Sequence, residues 1–237
     1  MVIIAPFAFV LLFFISAPYG RYLRAGWGPT VTSKTGWLLM EAPASLLMLS
    51  VLFFIPVNLV VYLFLVVWQV HYFHRAFFYP FTLTSLRRIP VAVVLMAIVF
   101  NSANAFLNGY HFVLHQDWYG QEWLTSWNFI AGLLLFAQGY YITKRSDRML
   151  AALRSDASDD YQIPRGFFYR YVSSPNYLGE TVQWFGWALM TLSPAAWVFL
   201  LWTIANLLPR AISHHRWYRE QFADYPKDRK AFIPFVL

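Results

Sequence analysis

Apolar runs long enough to cross a bilayer recur along this chain, and placing them leaves little freedom in the fold. A helix needs about 20 mostly apolar residues to span the hydrocarbon. Seven segments of the 237 residues qualify: about 2–18, 37–55, 58–80, 89–113, 123–143, 177–192 and 195–214. Pro56 separates the second from the third, and Ser193-Pro194 separates the sixth from the seventh. Residues 1–18 lack a basic leader and a small-residue cleavage site, so they read as the first span rather than a removed signal. Only 12% of the residues are charged, against about 25% in soluble domains. The expected fold is all-α: a single polytopic membrane domain, residues 1–237, with seven transmembrane helices.

The 18 lysines and arginines orient this bundle. The connection after the first span holds Arg21, Arg24 and Lys34. The one after the third holds Arg87 and Arg88, with Arg75 at the helix end. The one after the fifth holds Lys144, Arg145, Arg148, Arg154, Arg165 and Arg170. The tail holds Arg216, Arg219, Lys227, Arg229 and Lys230, with Arg210 just inside the last span. The alternate connections hold none. Positive loops stay in the cytoplasm, so the N-terminus is expected outside and the C-terminus in the cytoplasm. The net charge of +7 is then a topology signal, and nucleic acid is not an expected partner. The long connection, about 144–176, is expected as a cytoplasmic loop. There are no cysteines, which removes disulfides, thiol nucleophiles and thiolate metal sites.

Two carboxylates, Glu41 and Glu180, lie inside stretches that must be buried, where a charge is expensive and marks a functional pocket or a helix-locking pair. The assigned orientation brings both to the cytoplasmic layer, with His71, Tyr72, Arg75, Asn176, Arg210, His214 and Tyr218. An Arg four residues from a His, as in His71/Arg75 and Arg210/His214, suits an anionic ligand better than a metal. The histidines also form His71-x-x-His74, His111-x-x-x-His115 and His214-His215, which invites a di-iron reading. But His111 and His115 fall at the outer end of their span, roughly 30 Å from the rest. No metal is expected. Asn101, Asn104 and Asn108 share a helical face, where they line a cavity or join helices by hydrogen bonds. Gly26-Trp27-Gly28 does not continue as a dinucleotide fingerprint, and neither a Walker loop nor a serine elbow is present.

Several blocks together resemble one family. They are Glu41-Ala42-Pro43 after Trp37, His71-Tyr72-Phe73-His74-Arg75, the run Tyr171-Val172-Ser173-Ser174-Pro175-Asn176-Tyr177-Leu178-Gly179-Glu180, and a tail. The tail runs from His214-His215-Arg216 through Asp224-Tyr225-Pro226-Lys227 to Ile233-Pro234-Phe235. In order and spacing, from about residue 30 onward, the chain resembles the steroid 5α-reductases. The resemblance implies seven transmembrane helices, NADPH as cofactor, and reduction of the C4–C5 double bond of a 3-oxo-4-ene steroid. It also implies that Glu41 and Tyr72 hold the C3 carbonyl oxygen and are the catalytic pair. Asn176 and Glu180 would lie by the nicotinamide. Arg210, His214 and Tyr218 would line the cofactor pocket, with Arg87, Asp147, Arg154 and Tyr161 contacting it from the loops. Two positions depart from the family pattern: Met40 replaces a Gln, and Gln162 replaces an Arg.

Hydride reaches the far carbon of an enone only if the carbonyl oxygen can take up charge, which hydrogen-bond donors supply. Tyr72 is such a donor, and Glu41 is one when it carries a proton. The expected partners are a steroid or other enone lipid arriving from the bilayer, the membrane lipids, and no second protein copy. The expected location is a multi-pass position in a bacterial inner membrane or the endoplasmic reticulum. Rival readings are a reductase of another sterol or enone lipid, a methyltransferase sharing the tail, and a seven-helix receptor or transporter.

Overall fold

The computed structural model describes residues 9–10, 26–82, 88–153 and 161–237. The first expected span, Arg87 and Arg154 therefore lie outside the described residues, apart from Phe9 and Val10. The chain forms two compact units, Ala17–Phe129 and one containing Ile130–Leu237.

The first unit is built on three helices: α1 (Ser33–Phe54), α2 (Leu59–Phe73) and α3 (Val91–His115). Two short strands, β1 (Thr30–Thr32) and β2 (Arg88–Pro90), pair antiparallel ahead of α1 and α3. Arg88 secures them through 2.7 Å bonds to the Thr30 hydroxyl and carbonyl. Thr32 caps α1 by accepting from Thr35 N, and Asn58 caps α2 by accepting from Val61 N. The Asn58 amide also donates to the carbonyls of Gln116 and Tyr119, pinning the start of α2 to the end of α3.

α1 buries Gly36, Met40, Ala44, Met48 and Val51, one residue per turn, and packs along α3. α1 and α2 are stitched by side chains: Trp68 Nε1 donates to Ala44 O, while Gln69 pairs with both the hydroxyl and carbonyl of Ser45. The outward faces are apolar, with Leu46, Phe53, Leu95, Val99 and Phe106 all more than half exposed, whereas Ser45, Asn101, Asn104 and Asn108 are buried. Polar inside and apolar outside is the distribution a lipid solvent selects.

α2 does not end as an ordinary helix. Residues His74–Phe78 form a π turn, closed when Tyr79 N–H reaches back five residues to His74 O, and Tyr79–Thr82 complete the element. The 3.6-residue period is interrupted from His74 onward, so Arg75 and Tyr79 leave the element at a different angle from the one a regular helix would give them.

The second unit contains α4 (Trp127–Ala152, entering from the first), α5 (Pro175–Thr191) and α6 (Pro194–Gln221). Glycines set the closeness of α4 and α5. A Cβ on Gly139 would collide with Gly179 O and Gln183 N, and one on Gly132 with Gly186 O. Gly132 and Gly139 on α4, like Gly179 and Gly186 on α5, are seven residues apart, so both contacts fall on one seam, and only glycine permits such backbone contact. Leu192 ends α5 in the left-handed region at φ 50°, and Pro194 opens α6, as the Ser193-Pro194 step predicts. The C-terminal segment folds back on the entry to α5: Ser173 N donates to Lys230 O and Lys230 N to Tyr171 O, each at 2.8 Å.

The connection expected over 144–176 is corrected in part. α4 stays helical to Ala152, and a 3-10 turn covers Phe167–Arg170. Hydropathy marks where the solvent changes, not where the helix stops. Arg145 extends the helix beyond the apolar run by bonding Tyr141 Oη at 2.7 Å, one turn back. Among the described residues, four helical stretches are long and apolar enough to cross a membrane: Ser33–Phe54, Leu59–Thr82, Val91–Trp118 and Pro194–Gln221. The chain is an all-α membrane protein.

Candidate active site

Glu41 sits one third of the way along α1, and its side chain is only 13% exposed. Arg75, from the π turn, places Nε 3.7 Å from Glu41 Oε1. At that length the contact is a charge pairing more than a hydrogen bond. The guanidinium is slotted between rings, with Cζ 4.4 Å from the Trp37 centroid and 4.8 Å from that of Tyr79. Such cation–π packing fixes the cation without consuming its donors. Here the widened turn does local work: it carries Arg75 and Tyr79 toward α1, where Trp37 meets Tyr79 edge-on at 5.3 Å.

The other carboxylate oxygen, Oε2, accepts from Asn101 Nδ2 at 3.2 Å, and the same amide donates to Met40 O at 2.7 Å. Tyr72 is buried, stacked on Trp68 at 4.7 Å and edged by His71 at 4.9 Å. Its hydroxyl oxygen lies 3.5 Å from Asn104 Nδ2, the outer limit of a hydrogen bond. Asn101 and Asn104 are three residues apart on α3, so Glu41 and Tyr72 are held against one face of one helix. Met40 faces away, packing with Ile89 and Val94, so its departure from the family's Gln falls in a core contact.

The second unit gathers the remaining candidates into three groups. Asp147 and Asn176 meet across 29 positions, with Asn176 Nδ2 donating to Asp147 Oδ1 at 3.1 Å, while Thr143 bonds Asn176 O. Arg210 and His214 share one partner, Tyr177: Arg210 Cζ lies 5.4 Å from its ring centroid and the His214 ring 5.5 Å from it. Tyr161 meets Trp217 edge-on at 4.9 Å, Trp217 meets Tyr218, and Tyr218 stacks on Tyr225 at 5.4 Å. Glu180 lies one helical turn beyond Asn176 near the start of α5, where the helix dipole favours negative charge. Gln162 is exposed.

The donor set of this unit suits an aromatic polyanion. Arg229 is 4% exposed, its Nη2 donates to Pro164 O, and its Nε and Nη1 make no hydrogen bond. The Ser174 hydroxyl, two residues before Asn176, is likewise buried without a hydrogen-bond partner. Cations, unmet donors and stacked rings are the components that phosphate and nucleobase recognition needs. Sequence reasoning did not single out Trp217, whose ring joins Tyr161 to Tyr218; only its place beside the His214-His215-Arg216 block hinted at it. Among the described residues no group of three or more His, Asp or Glu is arranged to hold a metal ion. His111 instead contacts Tyr119 Oη at 2.9 Å, and His215 contacts Ser173 Oγ at 2.7 Å.

Comparison with known proteins adds a separate line of observation. Residues 87–237 match the family model for 3-oxo-5-alpha-steroid 4-dehydrogenase. The steroid 5-alpha-reductase DET2 of Gossypium hirsutum is 42% identical over 244 residues, covering 99% of this chain and 93% of that protein. The corresponding protein of Arabidopsis thaliana is 39% identical over 249 residues, covering 96% and 90%. The 3-oxo-5-alpha-steroid 4-dehydrogenase 1 of Bos taurus is 34% identical over 239 residues, covering 97% and 91%.

Proposed function

Because this chain belongs to the 3-oxo-5α-steroid 4-dehydrogenase family, a family of oxidoreductases, we propose that it reduces the C4–C5 double bond of 3-oxo-4-ene steroids to 5α-steroids, with NADPH as reductant. The observation that carries the site assignment is the pairing of Glu41 and Tyr72 with Asn101 and Asn104 on one face of α3. A ketone oxygen at that face would meet a phenol donor and a carboxyl group, both already oriented.

In this reading Tyr72 donates a hydrogen bond to the C3 oxygen and keeps its proton. Glu41 donates once it carries a proton of its own, and Arg75 balances its charge when it does not. Charge that builds on the oxygen as the double bond is polarised is thus met by groups that need no reorganisation. NADPH, when bound, supplies the hydride that C5 receives, and a proton completes the reduction at C4. Asp147 and Asn176, Glu180, Arg210, His214, Tyr161 and Tyr218 would hold the nucleotide, joined by Arg87 and Arg154. The paired Asp147 and Asn176 side chains are fixed acceptors and donors for its polar edge, and the basic and aromatic residues suit its phosphates and base.

The proposal includes seven spans in one domain, an external N-terminus, a cytoplasmic C-terminus and a monomeric state. The basic loops would then face the side that contains NADPH, while an apolar steroid enters from the lipid. Anaerobic incubation of purified protein with NADPH and testosterone tests the activity: cofactor absorbance should fall with formation of the 5α-product. Glu41→Gln and Tyr72→Phe should abolish most turnover while retaining NADPH binding. Near-full activity of both variants on a good substrate would reject the residue assignment.

A further inference from the structure

Three asparagines of α3 lie behind the proposed donors and take no direct part in the chemistry above. Asn101, Asn104 and Asn108 are all buried, and steps of three and four place them on one helical face. The direction of each amide can be read from a neighbour that can only accept. Met40 O is a backbone carbonyl, so the group facing it must be the Asn101 NH2, and that same NH2 faces Glu41 Oε2. Asn104 O is also a backbone carbonyl and takes a 3.0 Å bond from Asn108 Nδ2. The Asn108 NH2 so placed also donates to Asn104 Oδ1 at 3.1 Å. Asn104 Oδ1 is thereby committed as an acceptor, and its NH2 must point the other way, toward the Tyr72 oxygen.

A phenol oxygen that accepts a hydrogen bond keeps its own proton for a further acceptor, and accepting strengthens the bond it gives. Amides that only joined helices would need no common direction. Here the donors run one way, from Asn108 to Asn104 to Tyr72.

We infer that Asn108 and Asn104 form a relay of fixed polarity that aims the Tyr72 hydroxyl at the substrate ketone, while Asn101 holds the Glu41 carboxyl beside it; all three are positioning residues. The inference rests on the reductase reading given above. It assigns to one face of α3 the task of presetting both donors before a ligand arrives. The 3.5 Å separation of Asn104 and Tyr72 fits a contact that shortens once the hydroxyl donates to a ketone and its oxygen becomes the better acceptor.

The test is a double-mutant cycle on the full-length protein. Asn104→Leu, Asn108→Ala, Tyr72→Phe and the two double variants are assayed with NADPH and testosterone. In parallel, the C3 carbonyl stretch of isotope-labelled testosterone, bound without nucleotide, is recorded by infrared difference. Each asparagine variant should lower kcat about tenfold, the worth of one hydrogen bond, with KM little changed. Each should also shift the carbonyl band toward its position in Tyr72→Phe. In the Tyr72→Phe background neither should add a further loss or shift, because the relay acts only through that hydroxyl. Losses that multiply with Tyr72→Phe, or a band that stays put, would overturn the relay and leave ordinary helix joining. Asn108→Ala keeps the test decisive if Asn104→Leu fails to fold, since it frees the Asn104 amide to flip without touching Tyr72. Failure of the reductase reading has a different signature: Tyr72→Phe itself would leave both turnover and the carbonyl band unchanged, and the relay would fall with it.

Discussion

The two units handle buried polarity in different ways. In Ala17–Phe129 the polar side chains are tied to one another: Glu41 to Asn101 and Arg75, Tyr72 to Asn104, and Ser45 to Gln69. In Ile130–Leu237 polar pairs also occur, as between Asn176 and Asp147, but cations spread over separate rings are prominent: Lys144 over Tyr140, Arg145 over Phe167, Arg210 over Tyr177 and Arg229 over Tyr225, where the first unit's Arg75 is bracketed by rings and paired with Glu41 as well. A small apolar ligand with one polar atom is best served by a few donors held in advance, because their aim decides the rate. A large anion is best served by cations whose charge is held in place while their N–H groups stay available. The contrast is what the proposed ketone site in the first unit and the proposed nucleotide site in the second would require.

That contrast can be broken or sharpened by substitution. The largest effect is expected for Tyr72→Phe, which should cut kcat by about 100- to 1000-fold, the cost of losing a donor to a developing oxyanion. Steady-state kinetics with testosterone measures it. Arg75→Met should come next. It strands a mostly buried carboxylate, and such changes cost about 3 kcal/mol of stability. Thermal denaturation in detergent reads the loss, and an unchanged melting point would show that Glu41 does not depend on this cation. Asp147→Leu removes the acceptor for Asn176 and should raise KM for NADPH about tenfold while leaving the melting point nearly unchanged. If instead testosterone KM alone moved, the division of labour between the units would be wrong. The smallest effect is expected at the surface pair Arg165–Asp224. Its side chains are 69% and 70% exposed, and Arg165→Ala should change stability by less than about 1 kcal/mol.

Much of the helical framework could be read from the sequence, because prolines and apolar length announce themselves locally. Pro56 and Ser193-Pro194 stand where α1 and α5 give way to the next helix. The extension of α4 to Ala152 was hidden, since it depends on tyrosines one turn back supporting charged residues past the apolar run. The β1–β2 pair was hidden too, as it joins Thr30 to Arg88 across 58 positions without a hydrophobic alternation to betray it. The asparagine face showed in the spacing, but its targets did not. Nothing local says that Asn101 meets α1 while Asn104 meets α2. The same holds for Asp147 and Asn176, each readable as a polar residue near a helix end, but paired only in three dimensions.

The wide turn at His74–Phe78 makes chain length matter at that point as much as residue identity. A helix advances about 100° per residue. Deleting any one residue from this stretch would let a regular helix run through and swing everything beyond it by roughly a quarter of a revolution. Tyr79 would then swing off Trp37, and the guanidinium would lose its aromatic bracket. The turn thus serves as a rotational register, set by a single extra residue, between the half of the helix that presents the phenol and the half that presents the counter-charge.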